Sequence, residues 1–158
     1  MSSLTAPLSL FNADIFTSSS TQQHDLGARG QTADGRIFRY VKAGGTALVV
    51  GNLQQCQAQD TGEQNLTPTA AAIGATTVTT SSTVTVTANE YAGGFMMVTI
   101  TPGVGYAYKI KSHPAATAAA LTITLEDSIQ VALTTTSRID LVNSPYDSVI
   151  VNPTTSSG

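Results

Sequence analysis

The chain has 158 residues, of which 41% are hydrophobic and only 11% charged, with a net charge of −3 and a pI near 5.1. A soluble domain carries about 25% charged residues; here the shortfall is filled by 25 threonines, with serine and glycine behind them. That balance excludes a high-charge disordered chain, a coiled coil and, with seven basic residues in all, a nucleic-acid binder held by a basic stripe.

Residues 1–26 read as an extended N-terminal arm. Leu4, Leu8, Leu10, Phe11, Ile15 and Phe16 are apolar, and the polar run Thr17–Gln23 follows at once. An apolar arm without its own core must bury that surface on its own domain or on a neighbour. It lacks a basic n-region, so no cleaved signal peptide is expected.

From residue 27 the chain reads as one β domain reaching 152, followed by a flexible tail over 153–158. Asp34-Gly35 predicts a turn, because glycine tolerates positive φ and aspartate favours tight turns. The run Arg36–Lys42 predicts a strand, and Thr46–Val50 a second one after Gly44-Gly45. Thr83–Thr87 alternates valine and threonine with period two, which predicts a strand with valines on one face. Ala70–Ala72 has helical composition, but Gly74 and the threonines beyond it oppose a long helix.

Strand signals are densest over residues 93–152. Phe95–Thr101 ends at Pro102-Gly103. Tyr106, Tyr108 and Ile110 alternate, as do Leu121, Ile123 and Leu125, then Ile129, Val131 and Leu133. Ile139–Val142 and Val149–Val151 complete the series. Strand centres spaced by about 8–12 residues predict an all-β fold, an antiparallel β-sandwich or small β-barrel of jelly-roll or tulip-like kind. Pro114–Ala120 is the one place that suits a short helical turn.

Chemistry is sparse. Cys56 is the sole cysteine, so no intrachain disulfide or multi-cysteine metal site forms, and it reads as a small buried apolar residue. His24 and His113 read as exposed loop residues. Serines abound, yet no Gly-x-Ser-x-Gly elbow is present, so neither catalysis nor a cofactor is expected. His24-Asp25 and Glu126-Asp127 each lack a third ligand nearby, and the latter reads as a solvated turn. Gly44-Gly45 and Gly93-Gly94 open no helix and read as turns and bulges. Arg36, Arg39 and Lys42 form either an electropositive patch or solvated charges that guard a strand. No run of about 20 apolar residues marks a membrane span.

The segment Gly27-Ala-Arg-Gly-Gln-Thr-Ala-Asp-Gly-Arg-Ile-Phe-Arg-Tyr-Val-Lys-Ala-Gly44 resembles a stretch common in virion proteins of tailed bacteriophages. Gly105–Pro114, Leu121–Asp127 and Ala132–Leu141 look like the rest of that group, so the resemblance covers roughly residues 24–151. It implies a capsid decoration, or cement, protein: a small β-rich domain, trimeric, seated on the capsid surface where capsomers meet. The partners implied are the major capsid protein and further copies of the chain, on the capsid surface of a virion, with no nucleic acid or membrane; the chain is expected to be made in the cytoplasm of the bacterial host. The family offers no active-site residues. The expected contact residues are Leu8, Leu10, Phe11, Ile15 and Phe16 of the arm, with Arg36 and Arg39 as its polar part. The alternative is a head- or tail-fibre module that binds a host glycan through Tyr91, Tyr106, Tyr108 or Tyr146.

Overall fold

A computed structural model of the chain describes residues 8–9, 15 and 17–152. With 35% of residues in strands and 3% in helix, the protein is all-β, as expected. Among the described residues the strands are β1 (Leu8–Ser9), β2 (Arg29–Gln31), β3 (Ile37–Arg39), β4 (Gln54–Gln55), β5 (Thr77–Ser81), β6 (Thr85–Val86), β7 (Phe95–Ile100), β8 (Ala107–Ser112), β9 (Ala116–Thr117), β10 (Ala120–Leu125), β11 (Arg138–Val142) and β12 (Ile150–Val151). The chain packs as two compact units, Met1–Gln57 with Pro145–Gly158, and Ala58–Ser144.

The first unit is built on the β2–β3 hairpin. Its strands are antiparallel, with Arg29 opposite Arg39 and Gln31 opposite Ile37. The expected Asp34-Gly35 turn closes it: the Thr32 N–H donates to Arg36 O at 3.0 Å, and Gly35 takes φ +88°. β1 lies parallel to β2, with Leu8 opposite Gly30. The C-terminal strand returns here. Lys42 and Gly44 donate their N–H groups to Tyr146 and Val149 carbonyls, both at 2.9 Å, and β12 pairs with β4. Gly27 permits the close packing, since a Cβ there would meet the Tyr146 ring at 2.6 Å.

Thr46–Val50 is not the expected strand. No strand pairs with it among the described residues, and Val49 and Val50 are exposed. β-branched composition makes a strand only where a partner strand and a face to cover exist.

The second unit holds a five-stranded antiparallel sheet in the order β11-β7-β8-β10-β5. Period-two alternation sends Met96 and Val98, Tyr108 and Ile110, Leu121, Ile123 and Leu125, Val78, and Ile139 and Leu141 into one core. Full burial of each such side chain contributes about 1.5–3 kcal/mol. The threonines between them face out, and Thr79 and Thr122 touch across the β5–β10 ladder at 3.1 Å.

The two edge strands of this sheet are joined by one extended segment. Leu66 exchanges two backbone hydrogen bonds with Ile139 of β11, at 2.9 and 3.0 Å, and Thr69 donates to Thr79 O of β5 at 2.7 Å. Ala71 then pairs with Leu133. The segment thus closes the sheet around the core by bonding to both edge strands, at Ile139 and at Thr79 and Thr80.

Two expectations change here. Pro114–Ala120 is not helical: β9 lies within it and pairs with β6. The Ala118 N–H donates to Val84 O at 3.1 Å, so tertiary pairing overrides the helical propensity of alanine. Ile129, Val131 and Leu133 form no strand, yet Ile129 and Leu133 are fully buried, bonded through the backbone to Ala75 and Ala71. In Thr83–Thr87 only Thr85–Val86 is strand, with Val86 buried and the threonines exposed as the alternation predicts.

Candidate interaction surface

Of the expected arm contacts, Leu10, Phe11 and Phe16 lie outside the described residues. Leu8 is placed by its backbone beside Gly30, and Ile15 is half-buried. Arg36 and Arg39 are both exposed on the first hairpin. Arg36 donates Nε to Asp34 Oδ2 at 2.7 Å, and its guanidinium lies 5.8 Å from the Phe38 ring centroid. Lys42 reaches both carboxylate oxygens of Asp147, at 3.0 and 3.3 Å. Arg39 donates Nη1 to Gly27 O at 2.9 Å, a neutral acceptor.

The register adds a residue that sequence reasoning missed. Arg29 stands directly opposite Arg39, so both guanidinium groups share one face of the hairpin. Arg29 is exposed and reaches Gln31 Oε1 at 3.5 Å. Like charges directly opposite destabilise a ladder, and a carboxylate between two arginines relieves that repulsion. Gln31 and the exposed Ile37 complete this face. The signal that finds Arg29 is the turn itself: closing a hairpin at Ala33–Gly35 places 29 opposite 39.

Asp34 carries the hairpin turn. The Thr32 hydroxyl, buried beneath it, donates to its carboxylate, and Arg36 adds a second donor. These hold the Asp34 carboxyl below its ordinary 3.8, with the Thr32 bond as the main cause.

A second candidate surface is apolar. Phe95, Met97, Ile100, Val104 and Tyr106 all belong to the β7–β8 hairpin and are between 39% and 57% exposed. The register sets Phe95 between Val142 and Lys109, and Met97 between Asp140 and Ala107. Tyr106 stacks on Tyr108, with centroids 5.9 Å apart and planes 9° apart. Tyr108 and Tyr91 are buried, so Tyr106 alone of the three presents a ring.

The remaining chemical candidates sort plainly. His113 is not an exposed loop residue. It is buried, with Nε2 accepting from the Tyr91 N–H and Nδ1 bonded to Pro114 O, both at 2.9 Å. His24 is exposed and meets Tyr40 edge-on at 5.4 Å. Cys56 is exposed rather than buried; it adjoins the two-residue strand β4, both of whose residues are exposed. Glu126 and Asp127 form the expected solvated turn, with Glu126 3.2 Å from Lys109 Nζ. Among the described residues no group of three His, Cys, Asp or Glu side chains gathers to hold a metal ion. No helix there is long and apolar enough to cross a membrane.

Compared with known protein families, curated proteins and solved structures, the chain matches none.

Proposed function

We propose that this chain is a structural virion protein that binds the outer surface of a tailed-phage capsid at capsomer junctions, as a homotrimer, and stabilises the mature shell. The observation that carries the reading is the set of exposed apolar side chains on the β7–β8 hairpin, with Phe95 and Met97 on its outer face and Ile100, Val104 and Tyr106 toward its turn, on a protein with few charges. Large apolar side chains left exposed together on one hairpin suit a surface that is covered in an assembly. Threonine faces pack against a neighbour with far less desolvation cost than ions. The resemblance of residues 27–44 to tailed-phage virion proteins gives the partner its identity, the major capsid protein.

In this reading Arg29 and Arg39 of the first hairpin supply a polar contact of their own and meet acidic side chains of the shell. The arm residues Leu8, Leu10, Phe11, Ile15 and Phe16 reach neighbouring subunits. Binding only the expanded lattice stabilises that state by linkage, without any catalytic step.

The test adds purified protein to capsids that lack it and follows both occupancy and the temperature at which shells rupture. Saturable binding with a fixed number of copies per shell and a higher rupture temperature is the expected result. A form without residues 1–16 should bind more weakly; equal binding removes the arm from the contact. No binding to capsids, together with hits on a glycan array, turns the reading to the fibre module.

A further inference from the structure

The Ser82 hydroxyl oxygen lies 2.6 Å from Oε1 of Glu63 and 2.7 Å from the carbonyl oxygen of Val84. Each of these O···O distances requires a proton between the two oxygens. A serine hydroxyl carries one proton, and a peptide carbonyl carries none. We propose that Glu63 is a neutral carboxylic acid in the folded protein, donating to Ser82 Oγ while Ser82 donates to the Val84 carbonyl, and that this proton locks the segment closing the sheet.

The hydrogen-bonding capacity of Ser82 is then fully used. It donates once, and its two lone pairs accept from Glu63 and from the Val84 N–H at 3.3 Å. Glu63 is fully buried, and its Oε2 has no hydrogen-bond partner. An unpaired carbonyl oxygen of an acid is far cheaper to bury than half of an unpaired carboxylate.

The surroundings favour the same state. Burial holds the Glu63 carboxyl above its ordinary 4.5; the Ser82 bond opposes this, the Asp60 carboxylate reinforces it, and the Thr83 and Val84 peptide N–H groups oppose it more weakly. The other titratable group facing it is Tyr91, whose buried hydroxyl is itself without a partner and is pushed up chiefly by burial, then by Asp60, Glu90 and Glu63.

The position of this proton gives it a structural task. Glu63 ends the 3-10 turn Thr61–Glu63, which Asp60 caps by accepting from the Gly62 N–H at 2.8 Å. The Asn65 N–H then donates to Asp140 Oδ1 at 2.7 Å, and Leu66 bonds to Ile139. Ser82 directly follows β5. The Glu63–Ser82 bond therefore ties the start of the closing segment to the end of one edge strand.

The folded state holds its proton to higher pH than the unfolded state does. The stabilisation is complete below the unfolded value and is lost as pH rises through the folded one. The test records the Glu63 side-chain carboxyl carbon resonance of the full chain against pH, with amide exchange at Leu66 and Thr69 measured relative to Val98 and Ile110. Glu63 should titrate above 4.5, with relative protection at Leu66 and Thr69 falling as it ionises; in Glu63→Gln that relative protection should not change with pH. Titration at or below 4.5 overturns the neutral acid. Ionisation above 4.5 without loss of protection at Leu66 and Thr69 overturns the lock. Both readings come from the natural chain, so they stand even where the variant fails to fold.

Discussion

The peptide N–H of Tyr91 donates to Nε2 of His113 at 2.9 Å, inside the core of the second unit. A backbone N–H only donates, so Nε2 must accept and the ring proton sits on Nδ1, directed at Pro114 O at 2.9 Å. The imidazole is neutral and both nitrogens are engaged, which makes it a structural fastener. A second bond closes the same contact, from the His113 N–H to Asn89 Oδ1 at 3.0 Å.

His113→Ala leaves the Tyr91 N–H buried without an acceptor, at a cost of about 1–3 kcal/mol. Chemical denaturation should show that loss as a lower midpoint with an unchanged slope. His113→Asn, which keeps an acceptor, should lose less. Equal losses in the two variants would show that ring volume, not the hydrogen bond, holds this site.

These contacts divide what the sequence makes legible from what it hides. Leu121, Ile123 and Leu125 are read correctly because alternation is a local property: the inward face follows from the residue types alone. The Asp34-Gly35 turn is legible for the same reason. His113 is not, because its acceptor role depends on a backbone group 22 residues away. Arg29 is hidden until the hairpin register sets it opposite Arg39. Glu63 sits in a polar stretch with no apolar pattern to announce its burial. Thr46–Val50 misleads in the other direction, since its composition suits a strand and no strand among the described residues pairs with it.

Gly94 is fixed by a close backbone approach. A Cβ there would lie 2.1 Å from Val142 O, within the β7–β11 pairing region. Gly94→Ala should cost at least the roughly 1–3 kcal/mol of an overpacked site, because a ladder carbonyl cannot yield as a flexible side chain does. Gly45→Ala is the control, since nothing lies within 4 Å of the added Cβ; it should be neutral or stabilising by about 0.4–1 kcal/mol. Similar midpoints for the two variants would rule out the close approach.

The Asp34 carboxyl makes the first hairpin sensitive to acid. Its folded value lies below the unfolded 3.8, mainly through the Thr32 hydroxyl and then Arg36. Its stabilisation is therefore present above the unfolded value and lost as pH falls through the folded one. Thr32→Val keeps the shape, removes the donor and should move the Asp34 titration upward toward 3.8. Carboxyl resonances of the two proteins between pH 2 and 6 check this. An unchanged Asp34 titration would assign the effect to Arg36 instead.

The exposed apolar side chains of the β7–β8 hairpin yield the sharpest test of the assembly reading, because the register at Met97 allows a charge to be added without harm to the fold. Met97 lies opposite Asp140 on one side and Ala107 on the other. A lysine at 97 gains an opposite charge directly across the ladder, so Met97→Lys should change stability by no more than about 0.5 kcal/mol. In an interface the same lysine must be desolvated among apolar neighbours, which costs several kcal/mol when it is not fully paired. Capsid affinity should then fall by tenfold or more, each factor of ten being about 1.4 kcal/mol. Thr122→Lys, on the threonine face of β10, is the matched charge change away from the β7–β8 hairpin and should bind as the natural chain does. If Met97→Lys folds normally and binds as tightly as Thr122→Lys, the β7–β8 hairpin is not the contact surface, and the Arg29–Arg39 face and the arm are left to carry it.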